Sequence, residues 1–118
     1  MNLQECYKQM DGDYEGMFSR LPRETSIIKY LRRFAENDEF DKLKGAVEAK
    51  DYKAVFELTH DLKGMAANLS LPVFQEMMSE MCEETRDKEP EKDLTVLIKT
   101  AGEEHEKILK AIGELEDA

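Results

Sequence analysis

Apolar residues recur at steps of three and four along most of the chain, which is the spacing of one face of an α-helix. Alternating β-branched patterns and hairpin dipeptides are nearly absent, so β-structure is not expected. Capping residues and one proline mark the helix starts. The pattern predicts a first helix over about 23–36, a second after Asp38, a third over 52–70 after Asp51, a fourth from Pro72, and a last one after Asp93.

The links between the last four predicted helices are short, so sequential neighbours are expected to run antiparallel. We therefore predict an all-α fold: an antiparallel up-down-up-down four-helix bundle with an additional N-terminal helix. Residues 1–118 are expected to form a single domain with a core over about 12–115. For residues 1–11 the pattern leaves open a loose leader or a short extra helix.

Composition narrows the class of partner. The formal net charge is −10, and residues 76–118 hold fourteen acidic and six basic side chains. Nucleic acids and anionic membranes select for clusters of Lys and Arg, so neither is expected as the main partner. With 41% hydrophobic residues at regular spacing, the acidic chain is still expected to fold.

The cysteines and the apolar runs bear on location. Cys6 and Cys82 are the only cysteines and form no C-x-x-C pair, which suits a reducing compartment. The first residues have neither the basic start nor the apolar run of a signal peptide. No run of eighteen apolar residues occurs, so no segment is expected to span a bilayer. A cytoplasmic, monomeric protein is the expectation.

The predicted helix 52–70 carries an unusual outer face. With 100° per residue, His60 lies about 160° from the centre of the apolar stripe and points to solvent. Small residues follow it where long polar ones are usual, and a helical glycine costs about 1 kcal/mol relative to alanine. We predict that this face docks a partner protein. Its members are Phe56, His60, Lys63, Gly64 and Ala67.

An exposed histidine beside one cation suits phosphoryl acceptance. A neutral imidazole is a competent nucleophile near neutral pH, because its unperturbed pKa is about 6.5. Lys63 can offset the charge of phosphoryl oxygens, and Gly64 leaves room for the active site of another protein. Phosphoryl transfer depends mainly on positioning and electrostatics, which the partner can supply.

The stretch from His60 to Gly64 has the signature H-x-L-K-G, followed by "AANL" at 66–69. It resembles the histidine-containing phosphotransfer (HPt) domains of bacterial multistep phosphorelays, over about residues 12–112. The resemblance implies that His60 is phosphorylated, that Lys63 supports the phosphoryl charge, and that Gly64 gives a receiver domain its clearance. It also implies a carrier that relays phosphoryl groups between receiver aspartates and has no kinase activity of its own.

The same resemblance bears on cofactors and partners. No cofactor is expected on this chain, because Mg²⁺ and the acidic pocket belong to the receiver. The expected partners are response-regulator receiver domains, with a hybrid sensor kinase as a further one. The rival from another class is a helical adaptor that binds a receiver or kinase without being phosphorylated.

Two positions depart from the family pattern. Ser70 stands where the family usually has a glycine, so it is expected either to take the left-handed cap conformation at some cost or to cap the next helix. The family often has Gln or Glu on the following helix near the histidine. The corresponding position falls near Cys82, which leaves Ser79 or Glu83 as the polar neighbour, or none.

The sequence gives little support for a metal site or for an enzyme active site. Glu57 and His60 form Glu-x-x-His, but a di-metal bundle site needs two such motifs directed inward. His105 lies in the apolar seam of the last helix and is predicted to be a half-buried packing residue. No nucleophile triad, P-loop or Gly-rich nucleotide loop occurs. An ordinary enzyme is therefore not predicted.

Overall fold

The computed structural model describes residues 1–116, and helices are its only regular elements. The all-α prediction is confirmed. The seven helices in this range are α1 (Leu3–Gln9), α2 (Tyr14–Arg20), α3 (Glu24–Glu36), α4 (Glu39–Glu48), α5 (Tyr52–Asn68), α6 (Pro72–Glu84) and α7 (Leu94–Gly113). Across residues 1–116 these helices are too short or too polar to cross a membrane.

Most of the predicted helix starts are found. Asp51 and Asp93 cap α5 and α7, each accepting a hydrogen bond from a backbone N–H two or three residues on. Asp38 is the exception. It stands at the N-cap position of α4, but its side chain makes no capping hydrogen bond within residues 1–116. Asn37 caps instead, accepting from the Glu39 N–H at 2.8 Å.

The N-terminal part differs from the prediction of one additional helix. Three helices precede α4, and residues 1–11 supply the short extra helix rather than a loose leader. From this segment Leu3, Cys6, Tyr7 and Met10 are buried, and α1 packs against α7. Helices of seven residues have little periodicity to read and are marginal by themselves. Tertiary packing therefore stabilises α1.

The long helices pack around one hydrophobic core. Helix α5 lies between α4 and α6, and α7 contacts α3, α4 and α6 as well as α1. The α5–α6 link covers only residues 69–71, so the chain turns back directly after α5. On α5, the buried face consists of Val55, Thr59, Leu62 and Ala66. Its opposite face is left uncovered by the other helices.

His105 belongs to the core, as its place in the apolar seam predicts. Its ring stacks on Phe40 with centroids 4.3 Å apart, and it lies 6.0 Å from Phe34 and 5.8 Å from Phe74. At 8% exposure it is buried more deeply than the predicted half. Burial lowers the pKa of His105, and the nearby charge of Lys44 lowers it further.

Candidate functional site

The uncovered face of α5 holds all the residues predicted to dock a partner. The chain buries α5 through apolar residues spaced three and four apart, and this turns His60 outward. His60 and Gly64 are exposed, whereas Phe56, Lys63 and Ala67 are partly exposed. The five residues therefore share one accessible surface, which we name the α5 face.

The backbone beside His60 is open at Gly64. A Cβ built on Gly64 would meet no atom within 4 Å among the described residues, leaving the helix's own backbone aside. Its φ is not positive, so the conformation does not require glycine either. Neither packing nor backbone geometry explains this residue.

The His60 ring has one close aromatic neighbour. The Phe56 ring, one turn earlier on α5, lies 6.1 Å away between centroids at an interplanar angle of 34°. Within residues 1–116, no group hydrogen-bonds to the His60 ring. The imidazole is thus exposed, with neither ring nitrogen hydrogen-bonded by the described residues.

The expected polar neighbour on the next helix is not found. Cys82 is fully buried, and Ser79 is partly buried. Glu83 is exposed, but its carboxylate binds Arg86 with an ion pair of 3.0 Å. None of these three side chains hydrogen-bonds to His60 in the described part of the chain. What the structure does bring to the edge of the α5 face is the ion pair of Glu83 and Arg86.

Arg86 is the residue that the sequence interpretation missed. Its guanidinium carbon lies 5.0 Å from the centroid of the Phe56 ring, within cation–π range. Phe56 and Arg86 are equally far along the chain from Leu71, at the start of α6. In two antiparallel helices, residues equally far from the connecting turn lie side by side. Counting residues outward from Leu71 in both directions would therefore have paired Phe56 with Arg86.

Electrostatics link these groups. The hydrogen bond and charge of Arg86 lower the pKa of the Glu83 carboxyl, and the charge of Lys63 lowers it further. Charges of both signs therefore lie at the α5 face, with Lys63 on it and the Glu83–Arg86 ion pair at its edge.

The C-terminal end of α5 closes with a Schellman motif. Ser70 adopts a positive φ of 56°, and its N–H donates to the Ala67 carbonyl at 3.2 Å. The Leu71 N–H donates to the Ala66 carbonyl at 2.9 Å, which completes the motif. Of the two expectations for Ser70, the left-handed cap is the one observed. Its side chain does not cap α6.

The N-terminal helices hold this end of α5 in place. The Tyr7 hydroxyl donates to the Leu69 carbonyl at 2.8 Å, and the Asp13 N–H donates to the Ser70 carbonyl at 2.8 Å. The Arg20 guanidinium donates to the Ala67 carbonyl at 3.2 Å and to the Ser70 hydroxyl. Orphan carbonyls at a helix end need such partners. Helices α1 and α2 thereby position the helix that carries His60.

No group of three or more His, Cys, Asp or Glu side chains in residues 1–116 is placed to hold a metal ion. Cys6 and Cys82 are free and buried, and burial raises the pKa of the Cys6 thiol to about 11. The α5 face offers an exposed imidazole, a lysine on the same face, an arginine at its edge, and open space at Gly64.

Comparison with known proteins gives one match. The family model described as Hpt domain matches residues 30–117. This span contains α4, α5, α6 and α7, most of α3, and all five residues of the α5 face. No curated protein and no solved structure matches the chain.

Proposed function

Because the chain belongs to the Hpt domain family, we propose that it is a histidine phosphotransfer protein of a two-component phosphorelay. His60 accepts a phosphoryl group from a phospho-aspartyl receiver domain and passes it to another receiver. The chain acts as a phosphoryl carrier without kinase activity of its own. One observation supports this role above the others: His60 is exposed beside an open stretch of helix.

The transfer step follows from the chemistry of the α5 face. A lone pair on one ring nitrogen of His60 forms the N–P bond while the P–O bond to the partner's aspartate breaks. The carboxylate leaves with the bonding electrons, and the proton stays on the other ring nitrogen. Lys63 offsets the charge on the phosphoryl oxygens. The receiver supplies Mg²⁺ and the acidic pocket, so this chain contributes no cofactor.

Docking uses the rest of the α5 face. Phe56 and Ala67 offer apolar contact on either side of His60, and Gly64 lets the receiver approach the helix closely. We take α4 to α7 as the antiparallel four-helix bundle that keeps this face rigid. A monomer suffices, because all the proposed residues lie on one chain.

We also place the protein in the cytoplasm. Its two cysteines are free and buried, which suits a reducing compartment. Hybrid sensor kinases carry receiver domains too, so they are included among the proposed partners.

The test is a transfer assay with a phosphorylated receiver domain. The purified protein should gain an acid-labile, base-stable phosphate, and His60→Gln should gain none. His105→Phe is the matched control, because His105 is the only other histidine and lies in the core. Loss of label in His60→Gln with retention in His105→Phe would establish His60 as the acceptor.

The same assay separates the carrier from the adaptor. An adaptor would bind the receiver without gaining phosphate, and His60→Gln would leave its binding and signalling intact. Binding without label across a panel of phosphorylated receivers would overturn the proposed function in favour of the adaptor.

A further inference from the structure

Glu83 and Arg86 have no role in the transfer step just described, yet they stand at the edge of the α5 face. The carboxylate binds Nη2 of Arg86 at 3.0 Å and Nε at 3.3 Å. The same guanidinium lies over Phe56, whose ring neighbours His60. The ion pair is therefore joined to the proposed phosphorylation site through one aromatic side chain.

Helix stability does not account for this arrangement. Arg86 lies two residues beyond the end of α6, and both partners are exposed. Exposed ion pairs at i,i+3 contribute little to folding. The position of the pair matters more than its strength, because it fixes an anion on the guanidinium that covers Phe56, the ring next to the proposed phosphorylation site.

Phosphorylation changes the local charge sharply. A phosphoryl group adds about −1.5 to −2 charges near neutral pH. Lys63 attracts it, and Glu83 repels it. Glu83 already binds the Arg86 guanidinium through Nε and Nη2, so the phosphoryl oxygens compete with the Glu83 carboxylate for it.

Building on the proposed function, we propose that Glu83 is a positioning residue that keeps phosphorylated His60 at a high transfer potential. It does so in two ways: it holds Arg86 in an ion pair, and its own charge opposes the phosphoryl dianion. A carrier has to release the group it accepts. Glu83 therefore favours release to the next receiver over storage on His60.

The experiment uses phosphoramidate as the donor, so no cognate receiver is needed. His60 displaces ammonia from phosphorus: the N–P bond of the donor breaks, and ammonia leaves with the electron pair. In mixtures of phosphoramidate and ammonium chloride, ³¹P NMR measures the equilibrium ratio of phosphorylated to free His60. The proteins compared are the wild type, Glu83→Gln, Arg86→Gln and Glu76→Gln.

Glu76→Gln is the matched control. It removes the same charge from an exposed position of α6, about 10 Å further along the helix axis. That displacement alone is about one Debye length at moderate salt. We expect Glu83→Gln to raise the ratio about two- to ten-fold, Glu76→Gln to leave it unchanged, and Arg86→Gln to lower it. High salt should reduce the differences, and urea unfolding should show all four proteins equally stable.

The experiment distinguishes failure of the role of Glu83 from failure of the proposed function. A wild type with normal phosphorylation of His60, together with a Glu83→Gln ratio equal to that of Glu76→Gln, would overturn the role of Glu83 alone. A wild type that takes no phosphoryl group on His60 from phosphoramidate or from any receiver would overturn the proposed function, and the role of Glu83 with it.

Discussion

Gly64 lies one helical turn after His60 on the same face of α5, and a Cβ added to it would meet no atom within 4 Å in residues 1–116, apart from the helix's own backbone. Glycine in a helix interior costs about 1 kcal/mol relative to alanine. The chain thus gives up helix stability at a position where any small side chain would fit. In the proposed function this loss has a purpose, because the space belongs to the docked receiver.

Replacing Gly64 with glutamine should separate stability from transfer. Gly64→Gln is expected to raise the free energy of unfolding by about 0.5–1 kcal/mol, because it removes a helical glycine. It should also block phosphotransfer from a receiver, because the longer side chain fills the approach to His60. Urea unfolding and the receiver transfer assay measure the two effects.

Gly45→Gln is the control for that prediction. Gly45 lies in α4, is exposed, and also has open space around a built Cβ within the described residues. The Gly45→Gln protein should show the same increase in the free energy of unfolding as Gly64→Gln, and it should transfer phosphate at the wild-type rate. A Gly64→Gln protein that accepts phosphate at the wild-type rate would contradict the clearance role of Gly64.

Lys63→Ala should slow phosphotransfer about ten-fold without abolishing it. Charge-assisted hydrogen bonds contribute on the order of 1.5–3 kcal/mol, but part of the phosphoryl charge is met by the receiver. Single-turnover transfer kinetics measure the change. Lys99→Ala, at an exposed position of α7, is the control and should match the wild type. Equal rates for the two variants would remove Lys63 from the site.

Ser70→Gly and Lys50→Gly test the left-handed caps. Lys50 has a φ of 55° at the end of α4 and Ser70 a φ of 56° at the end of α5. Left-handed backbone costs about 1–2 kcal/mol for a residue with a side chain. Lys50→Gly should therefore stabilise the protein by about 1 kcal/mol. Ser70→Gly should gain less, because it loses the hydrogen bond from Arg20 to the Ser70 hydroxyl.

Urea unfolding measures both variants. Lys99→Gly, in the interior of α7, is the control and should lose about 1 kcal/mol, because glycine disfavours a helix interior. A loss of stability in Lys50→Gly would show that Lys50 does not hold the left-handed conformation. Equal gains for Lys50→Gly and Ser70→Gly would show that the contact with Arg20 contributes nothing.

His105 should make folding stability depend on pH. The pKa of the folded-state imidazole is lowered from 6.5 by burial. As the pH falls, the unfolded chain therefore takes up this proton first. The contribution of His105 is complete above about pH 6.5 and is lost as the pH falls from there toward the folded pKa.

Urea unfolding at about pH 7.5 and about pH 5 measures this dependence. The wild type should lose more stability between the two than His105→Phe, in which the group no longer titrates. Burial raises the pKa of Glu104, which acts in the opposite direction, but this effect is common to both proteins and cancels in the difference. Equal losses for the two proteins would contradict the prediction.

The local sequence pattern was sufficient to predict the long helices and the side of α5 on which His60 lies. The apolar spacing of α5 defines its buried face, and geometry at 100° per residue then places His60 on the other side. Asp51 and Asp93 cap their helices because the bond to the nearby N–H is local. Gly64 stands out in the sequence for a local reason too, since it lies one turn after His60 on the same helix face.

Contacts between distant parts of the chain could not be predicted in the same way. Helices α1 and α2 are too short for a clear period, and the hydrogen bonds from Tyr7 and Arg20 to the end of α5 join residues about fifty to sixty positions apart. The place of Arg86 over Phe56 depends on how α5 and α6 pack. The sequence likewise allowed two conformations for Ser70. In the structure, Ser70 is left-handed and accepts hydrogen bonds from α2 and from the α1–α2 link. Periodicity records which face of a helix is buried, whereas packing determines which residues of other helices lie beside the face left open.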